Sequence, residues 1–292
     1  MHTGYLENVP YPFAISFSQF SLYLECPKRY QLQYRSADRL RSKPYPNTIL
    51  GDAMHNVLER FYLAKMHGEP ITELKHLEEI LLQQLWGKIQ AAGDEVSLQR
   101  SKEMFTTPQG WQEYYQKEMG KLFPKGKTLL GAFFKAHYAE GGRFIPEAVE
   151  TVFNCELPDA AKYPGLGGVK FTARIDFLEL DTVTETYRLI DHKLSANFDR
   201  DKLKRNPQLT LYAYLVNRIM KLPVNAVGYQ IFDTTQDKVS KIIGTRTEAD
   251  FDALLRDLAC IVPSMKLPFY YKRPGDHCNY CPARAKCESN LI

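Results

Sequence analysis

ARIDFLELDTVTETYRLIDHK, residues 173–193, sets two runs of β-branched, aromatic and aliphatic residues on either side of the polar DTVTET. Each run reads as a strand, and the polar segment reads as the turn of a β-hairpin. Centring that turn on Val183 and Thr184 sets Leu180 opposite Tyr187, Leu178 opposite Leu189 and Asp176 opposite Asp191. Side chains alternate faces along a strand, so these four apolar residues share a face with both aspartates and with Lys193. Two carboxylates facing each other on a largely apolar surface repel, and each is costly to desolvate. A divalent cation between them removes both costs, and hard oxygen ligands suit Mg²⁺ or Mn²⁺. The Lys193 ammonium points the same way, where it can orient a metal-bound water or offset charge on a phosphate. A D-x-K tripeptide often recurs by chance as solvated charge. The in-register Asp176 gives this one its chemistry, and a slip of one residue would separate the acids.

Working outward, EAVETVFNCEL before the hairpin and NAVGYQIFDT and SKIIGTRT after it also read as strands. NPQLTLYAYLVNRIMKL lies between them as a helix, with Asn206 as N-cap and Pro207 at the first helical position. EADFDALLRDLACIV is a further helix. Towards the start, SFSQFSLYLECPKRYQLQYR predicts two helical segments, the first capped by Ser16 or Ser18 and interrupted at Pro27. LGDAMHNVLERFYLAKMH carries Met54, Val57, Leu58 and Phe61 at helical spacing. From about Ile71 to Tyr138 the chain reads mostly as helix, with breaks expected near Gly93, Pro108 and Pro124.

The 292 residues are 44% hydrophobic and 25% charged, which suits a globular chain with a sizeable core. A net charge of +4 does not by itself point to a nucleic-acid partner, so one must be argued from local patches. No apolar run is long enough to span a bilayer. The first residues lack a basic stretch followed by an apolar one, so no secretory signal is expected and a reducing, cytoplasmic compartment is the default. No repeat or Gly/Ser linker suggests separate domains. Six cysteines are too few for a disulfide scaffold, and their clustering favours a metal.

Other groups join the hairpin from two helices. His55, four residues after Gly51, could supply a nitrogen ligand, although alone it reads more readily as a capping or core histidine. Gln208 and Tyr212 stand four apart on one helix face. The ordered set of His55 in G-x-x-x-H, Asp176 in A-R-I-D, Asp191 and Lys193 in I-D-H-K, and Gln208 and Tyr212 in Q-x-x-x-Y resembles the RecB-like PD-(D/E)XK nucleases over nearly the whole chain, from Ser16 to Cys287. The resemblance implies that His55, Asp176 and Asp191 hold a Mg²⁺ or Mn²⁺ ion, that Lys193 helps activate the attacking water, and that Gln208 and Tyr212 complete the site near the scissile phosphate. Glu150 matches a glutamate common in the family and is taken as a supporting residue. Ala173 stands where the family commonly has Gly, which bears on fine strand geometry.

Near the end, HCNYCPARAKC places Cys278, Cys281 and Cys287 within ten residues, one short of the four thiolates a metal usually takes. Cys26, Cys155, Cys260 and His277 are the candidates for the fourth ligand. Cys155 and Cys260 read as small buried hydrophobes. Cys26 falls at an exposed helix break beside Lys28 and Arg29, where positive charge favours thiolate, and is the preferred partner. The AddB, CRISPR-adaptation and exonuclease V types of the same family bracket the nuclease core with one early and three late cysteines. That resemblance implies a 4Fe-4S cluster joining both ends of the chain; spacing alone leaves zinc open.

Basic residues beside aromatics suit single-stranded DNA. The candidates are Lys202, Lys204 and Arg205 before the Gln208 helix, Arg39 and Arg41 before the His55 helix, and Lys272 and Arg273 after Tyr270 and Tyr271. The expected fold is an α/β PD-(D/E)XK restriction-endonuclease-like core, a central mixed sheet flanked by helices. Residues 1–292 form one nuclease domain, with a helical insertion over 64–140, a catalytic sheet over 146–245, and 26 plus 278–287 as cluster segments. The insertion, by its position, would wall or arch over the site. The expected activity is metal-dependent hydrolysis of DNA by a single-strand exonuclease. The alternative is a DNA-binding or scaffold subunit active only beside a helicase or integrase.

Overall fold

The computed structural model describes residues 13–37, 46–99, 108–195, 198–199 and 201–288. A short strand β1 (Ala14–Ser16) leads into α1 (Phe17–Glu25), whose N-cap Ser16 accepts the Gln19 N–H at 3.2 Å. Cys26 ends α1, and Pro27 opens α2 (Pro27–Tyr30), which continues through a widened turn over Gln31–Arg35. Three long helices follow: α3 (Pro46–Met66), α4 (Leu74–Gln99) and α5 (Pro108–Ala139). Gly93 and Pro124, expected to break this region, lie inside α4 and α5. A lost hydrogen bond at one proline is outweighed by packing of a long buried face on either side of it. Gly126 brings α5 close to α4: a Cβ there would come within 2.6 Å of the Leu81 Cδ2 methyl, which would have to shift.

The sheet is built from β2 (Phe144–Glu156), β3 (Lys170–Asp181), β4 (Thr186–Ser195), β5 (Val224–Asp233) and β6 (Lys238–Thr245), with β1 at its rim. Between β4 and β5 lie α6 (Asp201–Arg205) and α7 (Pro207–Leu215); α8 (Glu248–Lys266) and α9 (Arg284–Glu288) follow β6. The path runs β1-β3-β4-β5-β6, with β2 also paired to β3. The β1–β3 and β4–β5 pairs are parallel and the rest antiparallel, so this is a mixed α/β sheet flanked by helices. The hairpin register is the expected one, with Leu178 opposite Leu189 and Leu180 opposite Tyr187.

Two buried cores lie against the sheet. One joins Ile175, Leu178, Leu189 and Val227 to Phe20, Leu211, Tyr214 and Leu258 from α1, α7 and α8. The other joins Phe177, Ile190 and Phe232 to Met54, Leu58, Phe61, Leu81 and Phe133 from α3, α4 and α5. The three long helices therefore form a layer packed against the sheet. No helix among the described residues is long and apolar enough to cross a membrane.

Candidate active site

The site forms where β3 is left partly unpaired. β2 runs along one edge of β3, while on the other edge β1 covers Lys170–Thr172 and β4 covers Phe177–Asp181. Asp176 lies in the gap between those two partners. Phe171, Ala173 and Ile175 enter the first core, yet Leu178 enters it too while Phe177 enters the second. Strict alternation, assumed in placing Asp176 on the face of Leu178, is thus interrupted at Asp176. Its carboxylate instead accepts the His192 backbone N–H at 2.8 Å.

Glu150 on β2 lies across from this gap with φ of +46°, a left-handed conformation unusual for a non-glycine in a strand. That turn aims its carboxylate at the site, where it also pairs with Arg174. From α3, His55 brings Nδ1 to 3.5 Å from Asp176 Oδ2 and 3.8 Å from Glu150 Oε1. His55, Glu150 and Asp176 each offer a ligand atom within 4.8 Å of the others. Asp191, expected as the third ligand, does not fall in that group: its Oδ2 lies 2.7 Å from Lys193 Nζ. Glu150, read from sequence only as a supporting residue, completes that group. An acid at an interior strand position was the available signal; the positive φ that re-aims it has none.

Electrostatics bind these groups together. Burial, then the Asp191 carboxylate, push the Asp176 carboxyl up to about 7. Burial lowers the His55 imidazole, but the Glu150, Asp176 and Asp191 carboxylates outweigh it and raise it overall. Lys193 is likewise held above its usual range, Asp191 overcoming the effect of burial. Gln208 Nε2 donates to Tyr212 Oη at 2.8 Å, and burial pushes the Tyr212 phenol up to about 12 despite that bond, with Asp191, Asp176 and Glu150 adding to the rise. The helix carrying this pair starts as expected, Asn206 Oδ1 accepting the Gln208 N–H at 2.7 Å. Its side chain also donates to Tyr229 Oη, and Tyr229 is paired opposite Asp191.

Cys26, Cys278, Cys281 and Cys287 line one cavity of about 320 Å³, with His277 on its wall. Cys26 is buried rather than exposed, because the turn into α2 is covered by the returning C-terminal segment: Tyr271 O accepts the Lys28 N–H at 3.0 Å. Cys260, expected to be buried, is exposed on α8, and Cys155 is half-buried on β2. Lys272 donates to Cys287 O at 2.9 Å and Arg273 donates to Leu24 O, so both tie backbone segments together. Lys204 is exposed, 3.6 Å from Asp201. Arg39 and Arg41, and the side chains of Lys202 and Arg205, lie outside the described residues.

Comparison with known proteins adds to this geometry. The chain resembles in fold a candidate exonuclease from Eubacterium rectale, at 9% identity and a TM-score of 0.48 over 95% of this chain and 90% of that one. It also resembles the protein SSO0001, at 15% identity and a TM-score of 0.36 over 71% of this chain and 98% of that one. No curated protein matches it. The profile of the PD-(D/E)XK nuclease superfamily matches residues 14–288, which takes in the gapped strand, the D-x-K hairpin and the helix behind it. The chain belongs to the PD-(D/E)XK nuclease superfamily.

Proposed function

We propose that this chain is a Mg²⁺- or Mn²⁺-dependent deoxyribonuclease that degrades single-stranded DNA from its ends. The observation that carries the reading is the convergence of His55, Glu150 and Asp176 beside the Asp191–Lys193 pair. One imidazole and two carboxylates make a hard donor set, and a carboxyl held up to about 7 next to another carboxylate is an uncompensated charge that a dication relieves. When bound, such an ion supplies Lewis acidity towards a phosphate and a water of lowered pKa. His55, Glu150 and Asp176 hold it, with Asp191 alongside. Lys193 faces the phosphate and offsets the charge that grows on it. Tyr212 stays protonated at neutral pH, so its hydroxyl can donate to a phosphate oxygen.

For the polymer itself, Phe269, Tyr271 and Tyr280 offer exposed rings for stacking bases beside the basic C-terminal segment. Purified protein given end-labelled single strands should digest them from free ends, and EDTA should stop it. Strands with blocked ends should survive. If the isolated chain is inert with Mn²⁺ present, the reading gives way to that of a subunit needing a helicase or integrase partner.

The four cysteines are proposed to hold a 4Fe-4S cluster of the RecB-like type. A tetrathiolate zinc site at a Zn–S distance near 2.3 Å brings its sulfurs to about 3.8 Å of one another. No three of these cysteines, all described, bring their sulfurs within 4.8 Å of one another, which suits a larger group in the cavity. Protein purified without oxygen should be brown, absorbing near ~400 nm, and Cys26→Ser should bleach it. Colourless protein containing zinc would overturn the assignment.

A further inference from the structure

Besides its four thiols, the cysteine cavity is lined by Arg29 and His277. Arg29 Nε and His277 Nε2 are both buried, and neither has a hydrogen-bond partner among the described residues. The other cations on the wall are engaged by protein. Lys272 donates to Cys287 O at 2.9 Å, Arg273 donates to Leu24 O, and Arg284 donates to Glu288 Oε1 at 2.8 Å. A buried N–H without an acceptor leaves its desolvation cost uncompensated, so such atoms mark a place where a partner belongs.

Both side chains are held in place. Arg29 stands on α2, three residues after Cys26, and its Nη1 donates to Glu25 Oε2 at 2.9 Å, which anchors the outer end of the guanidinium on α1. Its charge reaches the late cysteines: burial raises the Cys281 thiol, and the Arg29 guanidinium works against that rise. His277 lies in the turn Asp276–Tyr280 beside Cys278. Its ring rests against Gly275, where a Cβ would stand 3.1 Å from both Nδ1 and Cε1. One unpaired nitrogen therefore comes from the segment of the early cysteine, and the other from the segment of the late three.

We infer that Arg29 Nε and His277 Nε2 donate hydrogen bonds to sulfur atoms of the cluster that the four cysteines hold, so that each end of the chain supplies a donor as well as thiolate. The inference rests on the iron–sulfur reading proposed above. Thiolate and sulfide sulfurs carry negative charge and accept hydrogen bonds from N–H groups, and a cationic donor strengthens the bond. Donation from Nε2 fixes the neutral His277 ring with its hydrogen there and leaves Nδ1 bare beside Gly275. Such bonds favour the more negative, reduced cluster and so raise its reduction potential.

The test is a redox titration of the whole chain, purified without oxygen and followed by the EPR signal of the reduced cluster. Dithionite supplies the single electron that the cluster takes up. His277→Leu fills the place of the ring without a donor. Arg29→Lys keeps the positive charge and puts a methylene where Nε stood. Each variant should stay brown, with its reduction equilibrium shifted about tenfold towards the oxidised form, a fall of ~59 mV for one electron. An unchanged potential in either brown variant overturns the inference and leaves the cluster reading standing. Colourless unmutated protein ends the cluster reading, and the inference with it. Where a variant loses its iron, pulsed EPR of the reduced unmutated protein decides, with ¹⁵N in its histidine rings and arginine guanidinium groups. A weak coupling from that residue type, carried through a hydrogen bond, supports the donor. No coupling, or the large coupling of a nitrogen bound directly to iron, overturns it.

Discussion

At Asp176 burial and a second carboxylate act together, and both favour the protonated acid. A cation arriving there must displace that proton, and at His55 it competes with another, since that imidazole is also raised. Metal affinity should therefore climb with pH up to about 7 and level off above it. Calorimetry with Mn²⁺ should find binding at least about tenfold tighter at pH 8 than at pH 6, one pH unit below the Asp176 midpoint costing about a factor of ten. Equal affinities would place the ion elsewhere. Substituting Asp191→Ala or Lys193→Ala should lower kcat by roughly 10²- to 10³-fold with little change in folding, measured on single-stranded substrate. Much of this was legible in the chain. A two-residue period and a single short turn leave few registers open, and the pairing of Leu178 with Leu189 and Leu180 with Tyr187 follows from that arithmetic, whereas the break in alternation at Asp176 does not. Glu150 was only half legible, because its left-handed backbone leaves no mark in EAVETVF. The burial of Cys26 was invisible for a similar reason: what covers it comes from the far end of the chain.

Among the elements, α7 carries its chemistry on its first two turns. The Asn206 side chain caps it through the Gln208 N–H at 2.7 Å and the Leu209 N–H at 3.4 Å. Asn206→Ala should cost about 1 kcal/mol in urea unfolding. It should also raise KM more than it lowers kcat if Gln208 and Tyr212 mainly hold the phosphate. Arg246 supports the same turn from behind, its guanidinium donating to Thr210 Oγ1 at 2.7 Å and to Leu203 O at 2.6 Å. The start of this helix could be read from Asn-Pro because capping is local. Helix α5 could not be read so well: a proline inside it suggests a stop, and only the buried residues on both sides of Pro124, such as Leu122 and Leu129, explain its continuation. The β1 strand escaped notice altogether, since three residues carry no period to detect.

On the scale of the whole molecule, the layer of long helices contributes a pH dependence that is separate from catalysis. Burial, then Lys65 and Lys241, push His137 on α5 down to about 4, against about 6.5 in an unfolded chain. Between those values the unfolded state takes up a proton that the folded state refuses, so stability is present above about 6.5 and is lost as pH falls towards 4. Buried His192, also held well below its usual range, acts in the same direction. Asp176, raised to about 7, acts in the opposite direction over the same window, so the His137 contribution is read as a difference. His137→Leu should shift the urea midpoint of the metal-free protein up at pH 4.5 relative to pH 7, compared with the unmutated chain, and an equal pH dependence in the two proteins would assign it to other groups.

The fastening of α1 and α2 by the C-terminal segment has a consequence for how the protein is made. Arg273 and Leu24 are 249 positions apart, so the contact between them closes almost the whole chain into a ring. Bringing such distant partners together is slow, because the entropy of a loop that size must be spent before the contact repays it. While a ribosome is still translating the sheet, the helices that emerged first have no final resting place. Their apolar faces wait in solution, and assembly of this nuclease finishes only when the cysteine-bearing tail arrives to shut it.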